Sequence, residues 1–154
     1  MKIEPYLNEE YSRARFMKNM KNEVTVIHTE YEDGPKAVAT VDVGPNLSGM
    51  GALEYAFRAT TNWGNIWSAG PLHANGEPNS DYNPDVTVLI DVEGEDEMLR
   101  STVVGDELLY EGKRYRVKKY GFELVTEESI TFHDENREEQ IKEIAEEILK
   151  NAKK

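Results

Sequence analysis

Residues 99–125 read LRSTVVGDELLYEGKRYRVKKYGFELV and decide the fold that the sequence predicts. Short apolar runs alternate there with glycine-containing turns, which is typical of antiparallel strands joined by tight reversals. The predicted elements are a turn at Gly105-Asp106, a strand over Glu107–Tyr110, a reversal at Glu111-Gly112, a strand over Lys113–Tyr120 and, after Gly121-Phe122, a last strand over Glu123–Val125. We therefore predict a hairpin followed by a closing strand.

The predicted strand Lys113–Tyr120 alternates in charge. Because successive side chains of a strand point to opposite faces, Arg114, Arg116 and Lys118 share one face. A basic strand beside aromatic rings can follow a phosphate backbone, so these three residues are candidate nucleic-acid contacts. The alternative is a ladder of ion pairs across the sheet, with Glu107 or Glu111 opposite Arg114 or Arg116. The acidic composition favours the ladder.

A second hairpin is predicted upstream. Residues 23–31, EVTVIHTEY, alternate with period two and place Val24, Val26 and His28 on one face. Residues 32–35, EDGP, form a turn signal, and Ala37–Val43 supplies the partner strand. No other histidine or cysteine lies near His28 in the sequence, which favours a structural residue over a ligand or a base.

The clearest predicted helix runs from Ser48 to Thr61 and packs across the sheet. One face of it is apolar, formed by Met50, Leu53, Ala56, Phe57 and Thr60. Glycines near its start match neither the dinucleotide-binding nor the P-loop spacing. Further along, Val86–Val92 is the most apolar predicted strand, and we expect it at the centre of the sheet.

Residues 62–85 form an open loop with three glycines, three prolines and five asparagines. We expect its first half to fold back onto the core, because it contains Trp63, Ile66, Trp67 and Leu72. If the loop binds a partner, its tryptophans are the expected anchors. The predicted partner-binding residues are Trp63, Trp67, His73 and Tyr82 in the loop, and Glu95, Asp96 and Glu97 in an acidic turn. A metal site at His73 matches no ligand spacing, so none is predicted.

The two ends of the chain are predicted to be helical. Residues 1–22 form an N-terminal arm, and residues 134–153 form an amphipathic helix whose aliphatic face includes Ile141, Ile144, Ala145 and Ile148. That face can dock on its own domain, which we favour, or pair with a second copy in a dimer. The predicted architecture is a single α+β domain: an antiparallel sheet of five or six short strands over residues 23–125, packed by one central helix and flanked by the terminal helices.

Composition restricts the function classes. The net charge of −12 over 154 residues argues against general binding to nucleic acid or to anionic membranes. With no cysteine, disulfides and thiolate metal sites are excluded, and no cofactor is predicted. No apolar run suggests a signal peptide or a membrane span. We therefore expect a cytoplasmic protein.

The block Arg100-Ser101-Thr102-Val103-Val104-Gly105-Asp106, followed by Gly112, Tyr115, Val117 and Gly121-Phe122, is similar to the closing block of YodL-like small domains. The helix core Leu53-Glu54-Tyr55-Ala56-Phe57 fits the same order of elements, and the resemblance covers residues 23–125. The chain departs from that pattern at Val104, where a small hydroxyl residue is common, and in its acidic C-terminal tail. YodL-like domains occur in phages, plasmids and conjugative elements, so the resemblance implies an accessory or counter-defence factor.

Three function classes follow. The favoured one is a small acidic accessory protein that binds and modulates or inhibits a host protein, whose basic surface would complement the acidic chain. A nucleic-acid or nucleotide-binding module that uses residues 113–119 is the first alternative. An uncharacterised enzyme is the second, although the three histidines lie in different predicted elements and no serine stands in a nucleophile elbow.

Overall fold

The computed structural model describes residues 22–31, 34–62, 66–90, 99–126 and 135–152. In chain order the elements are β1 (Glu23–His28), β2 (Lys36–Asp42), α1 (Gly49–Ala59), β3 (Val86–Val88), β4 (Glu107–Tyr110), β5 (Lys113–Val117), β6 (Phe122–Leu124) and α2 (Glu135–Ala152). The strands form one antiparallel sheet in the order β3-β2-β1-β4-β5-β6. The predicted α+β class is confirmed. The predicted N-terminal helix lies outside the described residues.

The centre of the sheet is β1, not the strand that the sequence favoured. β1 pairs with β2 on one side and β4 on the other, and Val24, Val26 and Ile27 are fully buried. The prediction that Val86–Val92 lies centrally is wrong, because the strand described in this range, Val86–Val88, lies at one edge of the sheet. Asp91 and Val92 lie outside the described residues. Leu89 is exposed. The position of a strand in a sheet depends on its pairing partners, which apolar content alone does not identify.

The main core lies between one face of the sheet and α1. Ala52, Leu53 and Ala56 of the helix belong to the same buried cluster as Val26 and Leu108 of the central strands. The predicted helical face was correct for Leu53 and Ala56 but wrong for Met50, which is 56% exposed. Ala52 is buried where Met50 is exposed, so the face that α1 packs against the sheet is rotated toward Ala52 at the start of the helix.

The opposite face of the sheet is covered by α2. Ile141 and Ala145 are buried, and Glu138 bonds to Arg114 of β5. Near the end of the helix, the Leu149 side chain lies beside the β4–β5 turn, 3.9 Å from the position that a Cβ atom on Gly112 would take. These contacts place α2 on the sheet of its own chain, the arrangement that the sequence favoured over pairing with a second copy, and Ile144 and Ile148 of the aliphatic face are half-buried. In the described ranges, no helix is both long enough and apolar enough to cross a membrane.

A two-residue turn joins β4 to β5, with Tyr110 paired to Lys113. Both central residues have positive φ, 51° at Glu111 and 77° at Gly112. This is the geometry of a hairpin turn that favours Asn-Gly, because a glutamate in the left-handed region is strained. The register of the hairpin is fixed by this turn.

Replacing Glu111 with Asn should therefore stabilise the protein. We expect Glu111→Asn to raise the free energy of unfolding by about 0.5–1 kcal/mol, because Asn adopts left-handed backbone angles with less strain. Urea denaturation followed by circular dichroism measures this change. The matched variant Glu111→Ala should bring no such gain, since alanine keeps the strain of a Cβ atom. An equal gain in both variants would contradict the backbone explanation.

Candidate functional site

Two of the three cations predicted as nucleic-acid contacts, Arg114 and Arg116, form a charge ladder under α2. The third, Lys118, lies beyond the end of β5 at Val117 and is exposed. The guanidinium of Arg114 donates to both carboxylate oxygens of Glu107, at 2.7 and 2.9 Å, and also to both oxygens of Glu138, one of them at 2.8 Å. Arg116 lies 3.6 Å from Glu107, and Lys118 lies 3.8 Å from Glu123. The cross-sheet interpretation is confirmed for Glu107. Arg114 is 13% exposed and does not present its charge to a phosphate.

The loop residues predicted for partner binding fall into different environments. Trp67 is buried in the core cluster, and its indole N–H donates to the backbone oxygen of Arg100 at 2.9 Å. The loop therefore folds back at Trp67, as expected, and this side chain is not accessible as an anchor. Tyr82 is exposed and His73 is half-buried. Leu72, which was expected against the core, is exposed. Trp63, Glu95, Asp96 and Glu97 lie outside the described residues.

A buried carboxylate, Asp106, organises the segment that precedes β4. It receives two bonds from the Arg100 guanidinium, at 2.7 and 2.8 Å, and one from each of the amides of Thr29 and Val103. Burial alone would raise the pKa of Asp106, but the Arg100 bonds and the two amide bonds outweigh burial and lower it. Asp106 is therefore a buried anion with several donors, and it fixes the backbone on both sides of Val104.

His28 extends this network into the core. Its Nε2 lies 2.9 Å from the Thr102 hydroxyl, which is itself 2.8 Å from the Thr60 hydroxyl at the end of α1. Nδ1 lies 3.2 Å from the Tyr31 hydroxyl. Desolvation lowers the pKa of His28 to about 4, although nearby Asp106 opposes the shift. At neutral pH the imidazole is uncharged, and in this fold it is a satisfied core residue.

Acid should destabilise the protein through His28. The His28 imidazole binds a proton near pH 6.5 in the unfolded chain and only near pH 4 in the folded chain. As the pH falls, the unfolded state is therefore protonated first, and it is stabilised relative to the folded state. We expect about 2 kcal/mol less unfolding free energy at pH 5 than at pH 7, measured by urea denaturation. A His73→Gln variant should keep this dependence, because His73 lies in the loop outside the network. Equal stability at the two pH values would refute the assignment.

An open groove lies between α1 and the β5–β6 turn and encloses about 370 Å³. Phe57 and Phe122 meet edge to face in its floor, with centroids 6.2 Å apart. It is lined by Met50, Glu54, Phe57, Val104, Val117, Lys118, Lys119, Gly121 and Phe122. The groove is thus apolar at its base and charged at its rim.

The walls of the groove expose apolar side chains to solvent. Met50 is 56% exposed and Val104 is 61% exposed, and Tyr120 in the adjoining turn is exposed as well. Gly121 in this turn has φ +82°, a backbone conformation that favours glycine. Clustered exposed apolar residues with a polar rim are typical of an interaction surface.

A smaller cavity of about 170 Å³ lies under the start of α2. Its charged side chains face one another: Arg116 lies 3.6 Å from Glu107, and Arg137 lies 3.6 Å from Glu30. Within the described residues, no three histidine, aspartate or glutamate side chains come together as a metal site. The apolar groove is therefore the stronger candidate.

The sequence did not predict the groove, because its walls come from distant segments. Met50 was assigned to the core, and Val104 stood out only as a departure from the YodL-like pattern. A comparison of the chain with protein-family models, curated proteins and solved structures finds no match. The YodL-like resemblance therefore stays a prediction.

Proposed function

We propose that this chain is a small acidic accessory protein of a phage or other mobile element, which binds a host protein in the host cytoplasm and modulates or inhibits it. The observation that supports this proposal is the exposed apolar groove beside α1. Val104 and Met50 are more than half exposed, and both line the groove. A partner that covers them removes apolar surface from water, which favours binding by roughly 25 cal/mol per Å² before the cost of association.

Hydrogen bonds hold the backbone of the segment that carries Val104 in place. Val103 on one side donates its amide to Asp106, and Gly105 on the other donates its amide to the Val117 oxygen at 2.9 Å. Because these bonds already fix the backbone around Val104, binding costs less conformational entropy here than it would at a flexible loop. The groove therefore has the features of a binding surface.

The net negative charge of the chain favours association with a basic partner. The chain has a net charge of −12, so a partner with a basic surface is attracted over a distance, and the attraction weakens as salt is added. The ladder of Arg114 with Glu107 and Glu138 supplies no comparable attraction for nucleic acid, because its charges are compensated. Protein binding is therefore preferred to the nucleic-acid alternative.

Host lysate passed over the immobilised chain gives the first test, followed by titration with the purified host protein. We expect Val104→Glu to weaken binding at least tenfold, since a carboxylate in the groove would have to be desolvated against Phe57 and Phe122. Val104 is exposed, so the substitution should leave stability nearly unchanged. Isothermal titration calorimetry measures the affinity, and the activity of the host protein is assayed with and without the chain.

Two variants make the test specific to the groove. Leu89→Glu introduces the same charge at an exposed position next to the β3 edge and should bind as the wild type does. Leu72→Glu places it in the exposed loop, the competing partner surface. Binding that survives Val104→Glu and is lost with Leu72→Glu would move the site to the loop. Binding unaffected by either variant would reject the groove as the site.

A further inference from the structure

One edge of the sheet lies directly beside the groove. β6 is the last strand in the order β3-β2-β1-β4-β5-β6, and no described strand pairs with its outer side. Phe122 of β6 lines the groove, and Leu124 is 44% exposed two residues further on. Side chains two apart lie on one face of a strand, so Leu124 continues the apolar surface along the edge.

The hydrogen bonds of β6 show which backbone groups are free at that edge. The Val125 amide donates to the Arg114 oxygen at 2.8 Å, and the Lys118 amide donates to the Gly121 oxygen at 3.0 Å. Antiparallel pairing alternates bonded and non-bonded residues, so positions 121, 123 and 125 face β5. Phe122 and Leu124 therefore direct their N–H and C=O groups away from the sheet.

Charge at the rim indicates what the occupant would contain. Lys119 is exposed, lies 5.6 Å over the Tyr120 ring and forms no ion pair within the described residues. Lys118, in contrast, already has Glu123 as a partner. A carboxylate on the bound molecule would meet Lys119 at the mouth of the apolar groove. A second copy of this chain is disfavoured at long range, because each copy has a net charge of −12.

We propose that the free edge of β6 and the adjoining groove form a strand-addition site, which accepts an extended segment of a partner protein with apolar residues at alternate positions and an acidic residue near Lys119. This inference rests on the proposed protein-binding function. Backbone bonds to Phe122 and Leu124 supply affinity, as in other complexes where a peptide joins a sheet edge. Alternate apolar side chains fill the groove face, and the carboxylate sets the direction of the segment.

The probe is a library of random twelve-residue peptides displayed on phage and selected on the full chain. Enriched sequences should show alternating apolar residues with an acidic residue. A synthetic copy should slow hydrogen exchange of the Phe122 and Leu124 amides. Enriched peptides that bind as helices, or that leave both amides unprotected, would overturn strand addition, and so would the absence of any enriched sequence.

Matched proline variants isolate the backbone contribution. Leu124→Pro removes an outward N–H without removing a β5–β6 bond, and should weaken the peptide at least tenfold. Val88→Pro makes the same change at the other edge of the sheet. The Asp42 amide donates to the Asp85 oxygen and the Leu89 amide donates to the Val38 oxygen, so the backbone groups of Val88 face outward. Peptide binding should persist in this variant. Equal effects of the two variants would contradict the proposal.

Two charge substitutions and a sedimentation measurement complete the test. Lys119→Glu should weaken binding of the acidic peptide about tenfold, whereas Lys113→Glu, at the exposed start of β5, should have little effect. Dimerisation of the wild type in sedimentation, abolished by Leu124→Pro, would make a second copy the occupant and overturn the inference. If the host protein requires Val104 but tolerates Leu124→Pro, the proposed function stands and only strand addition fails.

Discussion

Asp106→Asn should lower the free energy of unfolding by about 3–5 kcal/mol, because it removes one member of a buried ion pair and several charge-assisted hydrogen bonds at once. The side chain of Asp106 is 1% exposed, and its oxygens accept bonds from Arg100 and from the amides of Thr29 and Val103. Asparagine has one acceptor oxygen where the aspartate has two. Its amide N–H groups would face donors instead of acceptors.

Urea denaturation of the wild type and the variant measures this loss, and Asp85→Asn is the matched control. Asp85 is exposed and accepts a bond from the Tyr55 hydroxyl at 2.6 Å, so its replacement should cause only a small fraction of the loss. Hydrogen exchange of the Val103 amide should also become faster in Asp106→Asn. An unchanged urea midpoint would show that Asp106 does not hold this segment in place.

Arg114→Met should destabilise the protein by a similar amount, about 3–5 kcal/mol. Glu107 is 1% exposed and Glu138 is 11% exposed, and without Arg114 these two carboxylates lose their shared bidentate partner. Methionine fills much of the space but supplies no charge, so the penalty of two desolvated anions remains. Because Glu138 belongs to α2, the variant should also make this helix more sensitive to limited proteolysis.

Arg58→Met is the matched control for Arg114→Met. Arg58 pairs with Glu54 at 2.6 Å, but both side chains are more than half exposed, and such helical pairs contribute about 0.3–0.5 kcal/mol. A triple variant, Glu107→Leu with Arg114→Met and Glu138→Leu, should recover much of the lost stability, since the two desolvated carboxylates are gone and only Arg116, which is 19% exposed, loses its contact with Glu107. Equal losses from Arg58→Met and Arg114→Met would contradict the importance of burial.

Local signals in the sequence predicted several parts of this structure. The β4–β5 turn was placed correctly because Glu111-Gly112 is a reversal signal between the apolar run of β4 and the alternating run that follows. β4 has the predicted bounds, whereas β5 ends at Val117 and not at the predicted Tyr120. Alternation along β5 predicted the ion pairs with Glu107. The central helix was predicted over residues 48–61 and observed at Gly49–Ala59. Each of these features depends on neighbours a few residues apart.

The features that were not predicted combine distant parts of the chain. The His28 network joins β1, the end of α1 and the segment before β4, so no local spacing reveals it. Glu138 is 24 residues from Arg114, and the helical pattern does not indicate that its carboxylate pairs with that guanidinium. β3 was misplaced because its apolar run carries no information on its pairing partner. The groove likewise requires α1 and the β5–β6 turn to be brought together.

The narrow junction at the middle of the sheet has a kinetic consequence. β1 and β4 pair over only three residues, Thr25 with Leu109, Val26 with Leu108 and Ile27 with Glu107, which are 80 or more positions apart in the chain. The hairpins β1–β2 and β4–β5 can each form early from local contacts, whereas this junction requires closure of a long loop. The rate of folding should therefore be set by the meeting of two preformed halves, and until they meet each half exposes a strand edge to other chains.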